Sequence, residues 1–104
     1  MTIELLYFDG CPNHEAFMPQ LRTLLDGAGV DEEVHLVRVE TEDEAQAAGF
    51  LGSPSLRLNG RDVEPGAAER SDFGLKCRLY QTPVGLSGTP PHELVLAALA
   101  DARA

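Results

Sequence analysis

Two short apolar runs with a helical pattern between them occupy residues 2–39, and this order limits the folds open to the chain more than any other feature. Residues 2–8 are largely apolar on both faces, as expected of a strand covered from two sides. Asp9 and Gly10 end that strand. Over residues 12–28, Phe17, Leu21, Leu24, Leu25 and Ala28 fall on one face of a helix. Glu15 suits the positive end of the helix dipole, and Gly27 with Gly29 stops the helix. Pro19, inside it, predicts a kink, because proline lacks an N–H and crowds the preceding turn. Residues 33–39, "EVHLVRV", predict a second strand, with His35 as a hydrogen-bonded core residue. A strand–helix–strand block of this length fits a right-handed parallel crossover.

Beyond it, Thr41 with Glu44 three residues on predicts a capping box that opens a short helix, closed by Gly49. Leu56 and Leu58 alternate with polar residues, and Asn59-Gly60 is a strong hairpin signal. Residues 55–58 and 61–64 therefore predict an antiparallel pair. Residues 65–88 read as an irregular insertion rich in glycine and proline. Within them "LKCRLYQ" alternates, which predicts an extra edge strand with Leu75, Cys77 and Leu79 on one side. Thr89 predicts an N-cap, with Pro90 at the first position of a last helix. Leu94, Ala98, Leu99 and Ala102 mark its buried face. The whole, residues 1–104, is expected to be one α/β domain of order βαβαββα, with a central mixed four-stranded sheet.

Seventeen acidic residues against 8 basic ones give a net charge of −9. Such a surface repels phosphate backbones, so no nucleic-acid partner is expected. No apolar run is long enough to cross a bilayer, and no basic amphipathic helix suggests a membrane partner. The segment "MTIELLYFDG" lacks the features of a signal peptide, so a cytoplasmic location is expected. Thiols there are kept reduced, which turns attention to the chemistry of the two cysteines, Cys11 and Cys77.

Cys11 follows the first strand and opens the first helix; Pro19 stands eight residues on; Pro54, in "GSPS", stands just before the third strand. In these three features and in its element order the chain resembles the thioredoxin-like superfamily, over residues 1–64 and the last helix. It is also similar to small bacterial thioredoxin-like proteins with a "GCPN"-like start. The resemblance implies a three-layer fold, a redox cysteine at position 11, and a cis-proline at position 54 facing it. It departs at one place: Cys11-Pro12-Asn13-His14 has histidine where the family's second cysteine stands.

The positive end of a helix favours thiolate at Cys11, and the thiolate is the form that attacks a disulfide. The alternative is a small cysteine filling a turn, and the match to the family's nucleophile favours the first. His14, one turn into the helix, is either placed to accept the Cys11 proton or hydrogen-bond the thiolate, or is a solvent-facing histidine without a role. Pro12, Asn13, Ser53 and Pro54 are implied to surround the substrate, with the Ser53 backbone presented to an extended substrate or partner cysteine. Cys77 reads either as a distant resolving thiol or, preferred here, as a core cysteine on an edge strand. Cys11-x-x-His14 is an acceptable metal-ligand spacing, but no second pair completes a site, so no metal or other cofactor is expected.

The expected function is a thiol-dependent oxidoreductase with Cys11 as nucleophile. Its partner would be a thiol- or disulfide-bearing protein or a low-molecular-weight thiol. Two alternatives stay open: a non-enzymatic binding module, for which the fold is only a scaffold, and a protein that binds soft metal ions or thiol ligands.

Overall fold

The computed structural model describes all 104 residues. Strand β1 (Ile3–Tyr7) sits inside a four-stranded mixed sheet of order β2-β1-β3-β4. It pairs parallel with β2 (Val34–Arg38) and antiparallel with β3 (Ser55–Leu58), which in turn pairs antiparallel with β4 (Arg61–Asp62). The alternation of β1 divides its side chains between two apolar clusters. Ile3 and Leu5 join Leu56 and Leu58 against Phe17, Leu21 and Leu25 of α1 (Asn13–Gly27) and Val95 and Leu99 of α3 (His92–Arg103). Leu6 turns the other way, toward Val39, Phe50 and Ala45 of α2 (Glu42–Ala48).

Local chemistry sets the element ends. Helix α1 runs unbroken past Pro19. It closes with the Val30 N–H on the Leu25 carbonyl and the Gly29 N–H on the Asp26 carbonyl, with Gly29 at φ 73° and Val30 buried. This is a Schellman stop with its apolar contact. At α2 the Glu44 N–H bonds Thr41 Oγ1, while the Glu44 carboxylate reaches back to the Glu40 N–H. The Asn59-Gly60 turn has both residues at positive φ, 53° and 80°, which joins β3 to β4 as a tight hairpin.

Three expectations need correction. His35 lies on the sheet's edge strand and is exposed, so it is not a core residue. Helix α3 starts at His92, after the cap residue Pro91, not after Thr89. Pro91 itself explains the shift, because the residue before a proline is driven out of the helical region and Pro90 cannot begin a helix. The 65–88 segment is also more ordered than its composition implies. It holds a 3₁₀ turn (Ala67–Glu69) and a second sheet, the hairpin of β5 (Tyr80–Thr82) and β6 (Gly85–Ser87). Thr82 Oγ1 stabilises that turn by donating to the Gly85 carbonyl and accepting from the Val84 N–H.

Candidate functional site

Cys11 and Cys77 are joined by a disulfide with a Cα–Cα distance of 5.6 Å. Cys77 is thus not a core cysteine. It is exposed, whereas Cys11 is completely buried. Cys11 sits where expected, between β1 and α1, held by a hydrogen bond from its N–H to the Phe8 carbonyl. The helix begins two residues later, with Pro12 as its cap residue.

The Ser53-Pro54 peptide is cis, and the Ser53 carbonyl lies 3.7 Å from Cys11 Sγ. In the disulfide this is a contact only; a protonated Cys11 thiol would have the hydrogen to donate. Both backbone hydrogen-bonding groups of Ser53 are already used. Its N–H donates to the Lys76 carbonyl at 2.8 Å and its carbonyl accepts the Arg78 N–H at 2.9 Å. Ser53 and Cys77 therefore form a one-residue parallel bridge rather than part of a longer edge strand. The Ser53 hydroxyl is buried without a hydrogen-bond partner.

Residues 73–80 act as a strap across this side of the sheet. The Gly74 N–H bonds the Phe50 carbonyl, and the Leu75 N–H bonds a Glu42 carboxylate oxygen. Alternation then puts Arg78 and Tyr80 inward and Cys77 and Leu79 outward. Arg78, 1% exposed, donates to both Asp62 oxygens at 2.7 and 2.9 Å and to Ser55 Oγ at 2.9 Å. Its guanidinium lies 4.5 Å from the centre of the Tyr80 ring. Burial is the largest single influence and opposes the Arg78 charge, but Asp62, Tyr80 and Glu64 together outweigh it and the net shift is upward. The Tyr80 hydroxyl donates to the Pro54 carbonyl at 2.6 Å, and burial pushes its ionisation above the ordinary tyrosine range.

Gly52 permits the strap's approach. Its φ is +119°, and a Cβ there would stand 3.0 Å from Arg78 Cβ and 3.1 Å from the Lys76 carbonyl oxygen. Only glycine meets both demands comfortably. Sequence reasoning gave Gly52, Arg78 and Asp62 no part in the site and took Tyr80 only as a packing residue. The available signal was a lone arginine next to a cysteine in an alternating stretch, with the apolar phase read as the inward one.

The hydrogen bond of His14 does not reach toward the sulfurs. Its Nδ1 lies 3.1 Å from the Cys11 carbonyl oxygen, so that nitrogen carries a proton and donates. Its ring stacks on Tyr7, with centroids 4.1 Å apart. His14 thereby braces the turn that carries Cys11. Pro12 is exposed, and the Asn13 amide lies so close to Gly88 that a Cβ at that glycine would stand 2.5 Å from Asn13 Nδ2. Asp9, exposed, pairs with Arg38. No group of three or more His, Cys, Asp or Glu is placed to hold a metal ion.

A groove of about 730 Å³ is lined by residues that include Phe73, Leu94 and Ala98 and by none of Cys11, His14, Ser53, Pro54 or Cys77. The disulfide therefore lies outside it. No helix is long and apolar enough to cross a membrane. No protein-family model, curated protein or solved structure matches the chain.

Proposed function

We propose that this protein is a thiol–disulfide oxidoreductase on a thioredoxin-like scaffold, with Cys11 and Cys77 as its redox pair. The observation that carries the reading is the bond between the cysteine at the start of α1 and the one whose neighbours pair with Ser53. Cys77 would replace the absent second cysteine of the Cys11-x-x-His14 motif. In the reduced form the helix start favours a Cys11 thiolate. In a reducing compartment such as the cytoplasm, a bond that cycles fits better than a permanent staple. Oxidation of the pair passes two electrons to an external disulfide, which leaves as two thiols.

The experiment is a redox titration of the native protein in thiol/disulfide buffers, with thiols counted by alkylation and the fold followed by circular dichroism. The expected result is a reversible two-electron transition with the secondary structure retained, and faster exchange between small thiols and disulfides when the protein is present. A bond that opens only when the chain unfolds would identify a structural staple and refute the proposal.

A further inference from the structure

We infer that the sulfur exchanging with an external partner is Cys77, that Cys11 is the inner, resolving sulfur, and that the partner is a low-molecular-weight thiol or disulfide. This rests on the redox reading above and reverses the roles that the resemblance implies.

Three observations lead to it. Thiol–disulfide exchange requires in-line access to the attacked sulfur. In the oxidised protein Cys11 has no exposed surface, while Cys77 is exposed. An external thiolate can therefore reach only the Cys77 side. The second observation is the strap. An extended peptide that used the Ser53 backbone would have to displace Lys76 and Arg78, which hold its N–H and carbonyl. A small thiol needs no such pairing. The third is that the strap has anchors besides the disulfide. Arg78 is held by Asp62 and Ser55, and Tyr80 by the Pro54 carbonyl. Those bonds do not depend on the oxidation state of sulfur, so Cys11 stays covered after reduction.

Electrons and atoms balance as follows. In the reducing direction a small thiolate attacks Cys77 Sγ, forming a mixed disulfide and expelling Cys11 as thiolate beside the start of α1. A second small thiolate attacks the small-molecule sulfur of the mixed disulfide, releasing Cys77 thiolate and the oxidised small disulfide. Two electrons have passed to the protein. In the oxidising direction Cys77 thiolate attacks the small disulfide, expelling one thiolate. Cys11 thiolate then attacks Cys77 Sγ, expelling the second.

The test uses glutathione as the probe. Oxidised wild-type protein is mixed with reduced glutathione, quenched with acid, alkylated in denaturant so that the covered Cys11 is labelled too, and mapped by mass spectrometry. Glutathione is expected on Cys77 and alkyl label on Cys11. In parallel, reduced Cys11→Ser and Cys77→Ser variants are mixed with oxidised glutathione. The variant that keeps Cys77 is expected to form its mixed disulfide about tenfold faster or more, as access dictates. Insulin disulfides are expected to be left unreduced by the reduced wild-type protein. Glutathione mapped to Cys11, equal or faster reaction of the Cys77→Ser variant, or ready reduction of insulin would overturn this inference while leaving the redox pair standing. A native disulfide that resists glutathione and dithiols alike would remove both.

Discussion

Reducing the Cys11–Cys77 bond opens a cross-link between residues 66 apart in sequence. In the chain-entropy treatment, a closed loop of that length costs the unfolded state about 4 kcal/mol of conformational freedom at room temperature. The native state should lose little, because the strap keeps its bonds to Ser53, Pro54 and Asp62 in either form. The oxidised protein is thus expected to exceed the reduced protein in stability by about 3–4 kcal/mol, a large share of a typical domain's total. By the same cycle, the fold stabilises the disulfide over the thiols by that amount. This places the native couple about 65–85 mV more reducing than the same pair in the unfolded chain. The assay is urea unfolding of oxidised wild type, reduced wild type and Cys77→Ser, followed by circular dichroism. Reduced wild type and Cys77→Ser should coincide, because position 77 is exposed and serine there leaves no buried gap. A gap below about 1 kcal/mol between oxidised and reduced protein would refute the reasoning. It would mean that the unfolded chain is already restricted, or that the folded chain relaxes when the bond opens.

The other predictions concern the strap and its anchors. Gly52→Ala puts a Cβ 3.0 Å from Arg78 Cβ at a φ of +119°. It should cost about 1–3 kcal/mol and speed alkylation of Cys11 in the reduced protein; unchanged stability with Cys11 still protected would contradict the strap's role as a cover. Arg78→Ala leaves Asp62 facing a gap and removes the strap's strongest hold, for a loss of about 3 kcal/mol in urea unfolding; a loss below about 1 kcal/mol would show the ion pair to be dispensable. Tyr80 has its ionisation raised in the folded state, chiefly by burial. Its contribution is fully present below the unfolded tyrosine value of about 10 and is lost as pH rises through the folded value. In a Tyr7→Phe variant, phenolate absorbance should therefore appear together with loss of circular dichroism, and a normal titration in the folded chain would count against the buried bond to Pro54. His14→Ala removes the stacking on Tyr7 and the bond to the Cys11 carbonyl. A cost of about 1 kcal/mol is expected, with exchange kinetics at Cys77 changed little; loss of exchange with the fold intact would give His14 a direct chemical part.

Those elements whose signals are local were legible in the sequence. The α1 stripe, the Thr41 cap and the Asn59-Gly60 turn each depend on residues within a few positions of one another, and each appears in the structure. Helix α3 shows how a neighbour overrides a good local signal, since Pro91 cancels the start that Thr89 and Pro90 advertise. The site was legible only by halves. Cys11 and the Ser53-Pro54 peptide announce themselves by position, but what lies against them comes from more than 20 residues further along the chain.

The phase of "LKCRLYQ" shows why the second half stayed hidden. Alternation fixes which residues share a face, not which face turns inward. Read by hydrophobicity, the Leu75–Cys77–Leu79 face belongs inside, and arginine would be a poor choice for the interior. From Cys77 on the structure reverses this, Leu75 alone staying packed against the Leu6 cluster, because burial of a guanidinium depends on its partners, not on its own apolarity. Asp62 stands at the end of the β3–β4 hairpin and Ser55 at its beginning, so the hairpin turn brings to Arg78 two acceptors that the linear sequence keeps 7 positions apart. Once Arg78 is committed inward, the pleat commits Cys77 outward. The backbone groups on either side of Cys77 then meet the two of Ser53, which sets its sulfur against Cys11. The placement of Cys77 at the surface is in this sense a consequence of a buried ion pair one residue away, and a substitution at Asp62 should disturb the Cys11–Cys77 bond as surely as one at either cysteine.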